Sequence, residues 1–291
     1  LHKEYRRQRQ MCIRDRITTP SLGSFQVGSS TGSASYMYDE EVPQAYEQTS
    51  DRQQNSANQV GNWMDNGGLT WKPNAFEIDG LGSVQAHVGF SPDADDVATN
   101  NGSVGTKSGT WGKGVDLGLT LSTDMGLTLG AYVAERENTT PVASTADDVS
   151  DEFNGAWYAK YTMGPVAIGY SETYADAGVT SAISATSSTT AKTRRSGGGI
   201  YTSESMSIAF NVNDNMSISY TTSDETYDTQ DNAKTAVTTD DDVTESIDAI
   251  QIAYSMGGMS IKAYNMEVTN PEQDDNAGDQ SITEIALGFA F

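Results

Sequence analysis

Leu117, Leu119 and Leu121 alternate with Asp116, Gly118, Thr120 and Ser122. After a short turn at 123–126, Leu127, Leu129, Ala131 and Val133 alternate with Thr128, Gly130, Tyr132 and Ala134. A period of two on both arms of a tight turn predicts an antiparallel hairpin with one apolar face. The pattern recurs. Phe153, Trp157, Tyr161 and Met163 face away from Asn154, Tyr158, Lys160 and Thr162, and Val166, Ile168 and Tyr170 follow beyond Gly164-Pro165. Met206, Ile208, Phe210 and Val212 oppose Ser205, Ser207, Ala209 and Asn211; Met216, Ile218 and Tyr220 resume after 213–215. Ile250, Ile252, Tyr254 and Met256 alternate in the same way, as do Ile285, Leu287, Phe289 and Phe291. Over 259–268 the alternation is mixed and assigns no faces.

Eleven strands are thereby predicted, at about 67–78, 83–90, 113–122, 127–137, 152–163, 166–175, 199–212, 216–226, 246–256, 259–269 and 281–291. A twelfth is predicted at 22–28, where Phe25 and Val27 alternate with Ser24 and Gln26. The strand at 67–78 is poorly patterned: Pro73 interrupts it, and the apolar parity changes from Leu69/Trp71 to Phe76/Ile78.

These segments have the length of a tilted membrane strand. Their connections alternate: short turns at 79–82, 123–126, 163–165, 213–215 and 257–258, long polar loops at 29–66, 91–111, 138–151, 176–197, 227–244 and 270–280. A barrel with turns on one side of a membrane and loops on the other sorts its connections in this way. The face opposite the apolar one is Ser, Thr, Gly, Ala and Asn with few charges, which suits a wet lumen. Aromatics near strand ends (Trp157, Tyr161, Tyr174, Phe291) are candidates for interfacial girdles. The expected fold is all-β, an antiparallel transmembrane β-barrel. Two alternatives lack a lumen: a soluble antiparallel sandwich, and a secreted or surface β-rich adhesin.

Composition narrows the function classes. The 291 residues hold 17 Lys+Arg against 40 Asp+Glu, a net charge of −23. Phosphate contact needs a basic surface, so no nucleic-acid partner is expected. No apolar run approaches a membrane helix in length. One Cys excludes a disulfide framework, and one Cys with two His makes no dedicated zinc site. Residues 1–16 stand apart, holding six of the 17 basic residues and the only Cys. The string RQRQMCIRDR resembles translated sequencing-adapter sequence, so 1–16 is read as non-native and 17–291 as the barrel, with no targeting signal expected.

No enzyme is expected. Gly28-Ser29-Ser30-Thr31-Gly32 matches G-x-S-x-G, but that motif needs a strand-to-helix elbow and no helical period follows. Gly80-Leu81-Gly82 lacks the final glycine of a dinucleotide fingerprint, and a strand follows it.

The last strand, ITEIALGFAF, ends in Phe291 with Phe289, Leu287 and Ile285 at every second position before it. That resembles the assembly signal of outer-membrane proteins. With the order of loops, 17–291 is similar to the C-terminal part of a general diffusion porin of a Gram-negative bacterium, most of all the alphaproteobacterial type of marine plankton. The resemblance implies a member of the 16–18-stranded class with an aqueous channel, of which 11–12 strands are present here. Counted back from sixteen, 22–28 is the fifth strand and 29–66 the third external loop, which in the family folds into the barrel and narrows it. It implies that acidic residues of this loop face basic residues across the opening; by position these are Asp39, Glu40, Glu41 and Glu47. It further implies passive diffusion of small hydrophilic solutes and ions, outer-membrane lipid around the wall, and homotrimers in the full-length protein.

His87, Asp116, Arg136 and Lys160 are on inward-facing parities and are expected to line the lumen. The acidic excess predicts mild cation preference. No cofactor is expected; Asp147-Asp148, Asp240-Asp241-Asp242 and Asp274-Asp275 carry the oxygen ligands Ca²⁺ takes, without EF-hand spacing. Glu135, Glu172 and Glu204 break the apolar parity; the first two sit at external strand ends, and Glu204 is deeper.

Overall fold

A computed structural model describes residues 14–28, 34–49, 68–92, 94, 111–138, 151–176, 200–228 and 242–290. Fourteen strands follow one another: β1 (Arg14–Thr19), β2 (Gly23–Gly28), β3 (Gly68–Lys72), β4 (Phe76–Ile78), β5 (Gly82–Ser91), β6 (Trp111–Thr123), β7 (Leu127–Asn138), β8 (Glu152–Met163), β9 (Val166–Asp176), β10 (Ile200–Asn213), β11 (Met216–Asp228), β12 (Val243–Met256), β13 (Met259–Thr269) and β14 (Gln280–Phe289). Single 3₁₀ turns lie at Ser35–Met37 and Pro271–Gln273. Every strand pair is antiparallel and joins neighbours in one sheet, ordered as in the chain except that β3 and β4 both pair with β5. The sheet is open: among the described residues β1 and β14 are its edges and do not pair.

Fourteen strands stand where eleven or twelve were expected, for two reasons. The segment 67–78 is two strands. Trp71 pairs with Val88 and Phe76 with Val84, so one extra residue is taken up between them, at Pro73–Ala75. Proline cannot donate to a ladder and sits at such a bulge. The inserted residue flips the parity, which is why both Trp71 and Phe76 lie on the exposed face. The second reason is β1, which pairs with β2 from Arg14↔Gly28 to Thr19↔Gly23. β1 therefore starts inside the 1–16 segment; residues 1–13 lie outside the described residues.

The two faces differ as a membrane wall requires. Leu117, Leu119, Leu129, Phe153, Trp157, Ile168, Ile208, Ile218, Ile250 and Leu287 are all exposed on one face. On the other, Tyr132, Ser171, Ser205, Ser207, Thr221, Ala249 and Gln251 are buried. Ile250 is 61% exposed while its neighbour Ala249 is fully buried. A soluble sandwich would bury the first set and expose the second.

The mixed alternation of β13 has a local cause. Tyr264, Met266 and Val268 point to the buried face, where they pack with Ile247 and Ile282. Outward positions here are Asn265 and Glu267, and on β12 Ser246 and Asp248. At the external ends of these strands the inner face is buried, with Ile247, Met266 and Val268 beside Glu245 and Gln273, and the outer face is polar. The outward apolar band stops at this level.

Candidate functional site

The segment 34–49 lies across the buried face. Tyr38 is the first anchor: its hydroxyl is 3.2 Å from Thr120 Oγ1 on β6, and its ring stacks on Tyr132 of β7 and tilts against Tyr158 of β8. The backbone N–H of Ala34 donates to Asp116 Oδ2 at 2.7 Å. Further on, Lys160 of β8 pairs with Glu41, and Ser207 of β10 donates to the Pro43 carbonyl. The Ala45 N–H donates to Ser219 of β11 at 2.9 Å. Gln251 of β12 grips the chain by both amide atoms: Oε1 accepts from the Tyr46 and Glu47 N–H groups at 2.8 and 3.3 Å, and Nε2 donates to the Glu47 carbonyl at 2.7 Å. Tyr46 ends the crossing by donating to Glu284 of β14 at 2.7 Å.

That path fixes the curvature of the wall. From β6 to β14 is eight strand spacings, roughly 38 Å along the sheet. Tyr38 to Tyr46 is eight residues, about 28 Å even when straight. The segment is not straight: Glu40 turns back to accept from Gln44 Nε2 at 2.7 Å and from the N–H and hydroxyl of Thr49. A folded segment, even with the reach of the two tyrosine side chains at its ends, fits a sheet that bends around it with the small-residue face concave.

The wall is carved to receive the segment. A Cβ on Gly118 would come within 2.5 Å of the Tyr38 ring, and one on Gly169 would meet Pro43. Glycine inside a strand marks such close approach. Burial pushes the Tyr38 phenol above its ordinary pKa. The hydrogen bond to Glu284 holds the Tyr46 phenol well above its own. Lys262 lies 5.3 Å over the Tyr46 ring.

The sequence-predicted residues divide on this geometry. Glu41 reaches the wall and is paired with Lys160; both are about one-third exposed. Asp39 and Glu47 are half-buried on the segment. Glu40 is buried, 1% exposed, and its carboxylate accepts from Gln44 and Thr49 within the segment. His87, Asp116, Arg136 and Lys160 all lie on the concave face, but Asp116 is buried beneath Ala34 and Tyr132. Arg136 is held by Glu152 and donates to the Ala94 carbonyl at 3.1 Å. Neither ring nitrogen of His87 meets a hydrogen-bond partner among the described residues. Ile285, Leu287 and Phe289 are exposed in a row on the convex face; Phe291 lies outside the described residues, as do Asp147-Asp148 and Asp240-Asp241. Among the described residues no group of three or more His, Cys, Asp or Glu side chains is placed to hold a metal ion. Gln251, Tyr38 and Tyr46 were not singled out from the sequence. The signal that could have found them is the set of glycines inside apolar-patterned strands, opposite a loop rich in tyrosine.

No protein-family model and no curated protein matches the sequence. Solved structures do match in fold. A loop L8 deletion mutant of OmpT, an outer membrane protein of Vibrio cholerae, superposes with a TM-score of 0.56 at 13% identity, over 96% of this chain and 78% of that one. A porin superposes with a TM-score of 0.57 at 13% identity, over 94% and 79%. The outer membrane channel DcaP of Acinetobacter baumannii gives 0.50 at 7% identity, over 94% and 82%. The fold is that of the outer-membrane β-barrels.

Proposed function

We propose that the chain is the wall of an outer-membrane porin, a water-filled channel through which small hydrophilic solutes and ions diffuse. One observation carries this: the segment 34–49 crosses the concave face from β6 to β14 while the Leu, Ile and Phe rows stand exposed on the convex face. An exposed apolar surface of this extent has no place on a soluble protein, and it favours a membrane barrel over a secreted adhesin. Lipid covers the convex face, and the segment narrows the water column on the concave side.

A channel makes no bonds, so its selectivity follows from width and from charges at the narrowest point, whose field low-dielectric walls focus. Asp39, Glu41 and Glu47 supply negative charge there; Lys160 offsets one of them. The chain as a whole carries −23. Mild cation preference follows, and homotrimeric assembly belongs to the same reading.

The test is reconstitution into a planar bilayer. Discrete, ohmic conductance steps are expected, larger when residues 38–49 are replaced by a short Gly-Ser linker, with a reversal potential in a KCl gradient on the cation side. A refolded, heat-modifiable protein that gives no steps contradicts it.

A further inference from the structure

On the convex face of β9, β10 and β11 the outward residues stack in rungs. Leading away from the short turns, they run Val166–Phe210–Ile218, Ile168–Ile208–Tyr220 and Tyr170–Met206–Thr222, then Glu172–Glu204–Asp224. The middle rungs line an apolar groove of about 460 Å³. The acidic rung opens into a second groove of about 800 Å³, walled by Phe153, Trp157 and Tyr174. From Val166 to Glu172 is roughly 20 Å along the strand, about the length of an extended acyl chain.

The acidic rung is costly as it stands, because like charges directly opposite each other destabilise a sheet. Trp157 Nε1 donates to Glu172 at 2.8 Å, and the Tyr170 hydroxyl donates to the same carboxylate. No cationic side chain among the described residues forms an ion pair with Glu172, Glu204 or Asp224; Lys113, on the convex face of β6, lies 4.0 Å from Glu137 instead. A second copy of this chain, with 40 acidic against 17 basic residues, would bring mainly like charge. The outward aliphatic rows end at this rung, and the next one is Tyr174–Thr202–Thr226, an aromatic among polar residues, which puts the carboxylates at headgroup depth.

We propose that this groove seats a lipid whose headgroup carries an ammonium, with the N–H groups donating to Glu204 and Asp224 and an acyl chain lying down the apolar rungs. The inference rests on the convex face being the lipid-facing one. Charge complementarity selects the headgroup: three carboxylates repel a bare phosphate, and an ammonium donates to individual carboxylates. A bridging calcium ion needs six to eight oxygens gathered at one point, and no described cluster supplies three acidic ligands.

The refolded full-length chain in detergent, offered phosphatidylethanolamine, phosphatidylglycerol, or phosphatidylglycerol with Ca²⁺, tests this by native mass spectrometry. Retention of phosphatidylethanolamine over phosphatidylglycerol by about fivefold is expected, and its loss in the E172Q/E204Q/D224N variant, which relieves repulsion and so keeps the fold. Heat-modifiable migration is measured on the same preparations. An intact barrel without the preference, a preference that survives in the variant, or tighter retention of phosphatidylglycerol with Ca²⁺ overturns the inference and leaves the channel reading standing. A chain that is monomeric and folded without detergent overturns both.

Discussion

Pro43 fills the space that a side chain on Gly169 would need: a Cβ there would run into the proline ring and stand 3.2 Å from the Val42 Cα. The wall of β9 and the segment that crosses it are therefore fitted to each other. Gly169→Val should push the segment off the wall at a cost of about 1–3 kcal/mol, the usual penalty for overpacking. The outward rows of β8–β10 are untouched, so the barrel should still form. Single-channel recording should show a changed conductance and noisier open current, with heat-modifiable migration preserved. Unchanged current would mean that Pro43 does not border the opening.

Glu41 and Glu40 are adjacent in sequence and opposite in role. Lys160→Gln leaves Glu41 without its wall partner and should raise the cation-to-anion permeability ratio, roughly twofold. Glu41→Gln should lower it. Both side chains are about one-third exposed, so either change should cost less than about 1 kcal/mol of stability. Glu40→Gln should leave the reversal potential where it is and loosen the segment, because Glu40 accepts from Gln44 and Thr49 within the segment itself. Reversal potentials of the three variants in one KCl gradient decide between these roles.

Gln251→Ala removes three hydrogen bonds to the backbone of Tyr46 and Glu47. Losing these bonds at part-buried groups should cost about 1 kcal/mol, confined to the segment. Limited proteolysis of the folded protein should then cut within 40–49 faster than in the parent, while the unfolding temperature of the barrel shifts little. Equal cutting rates would show that other anchors suffice.

Most of the fold was legible because a membrane wall writes its pattern with period two over many residues. Strands β6 to β12 fall within a few residues of their expected bounds. Two places misled. At Pro73 the parity change was visible, but periodicity alone does not say whether a strand ends or bulges; Trp71↔Val88 and Phe76↔Val84 show a bulge. In β13 the faces were unassignable because Met266 and Val268 point inward against Ile247. Glu204 is not isolated: it lies on one rung with Glu172 and Asp224, where the outward aliphatic rows stop. The concave site was less legible. The loop carboxylates could be placed on a segment by counting, but which of them reaches the wall depends on contacts more than a hundred residues apart, such as Lys160 with Glu41. Sequence spacing carries no information about those.

In a porin wall the convex face meets lipid and the concave face meets water. Single cysteines at Ile252 and Lys262, in a chain whose Cys12 is replaced by Ser, test it most directly after reconstitution into liposomes. I252C should resist a water-soluble thiol reagent and, once labelled in denaturant and refolded, be quenched by brominated lipid; K262C should react readily and escape quenching. The opposite assignment, with Ile252 open to water-soluble reagent and Lys262 quenched from the lipid, would contradict the account.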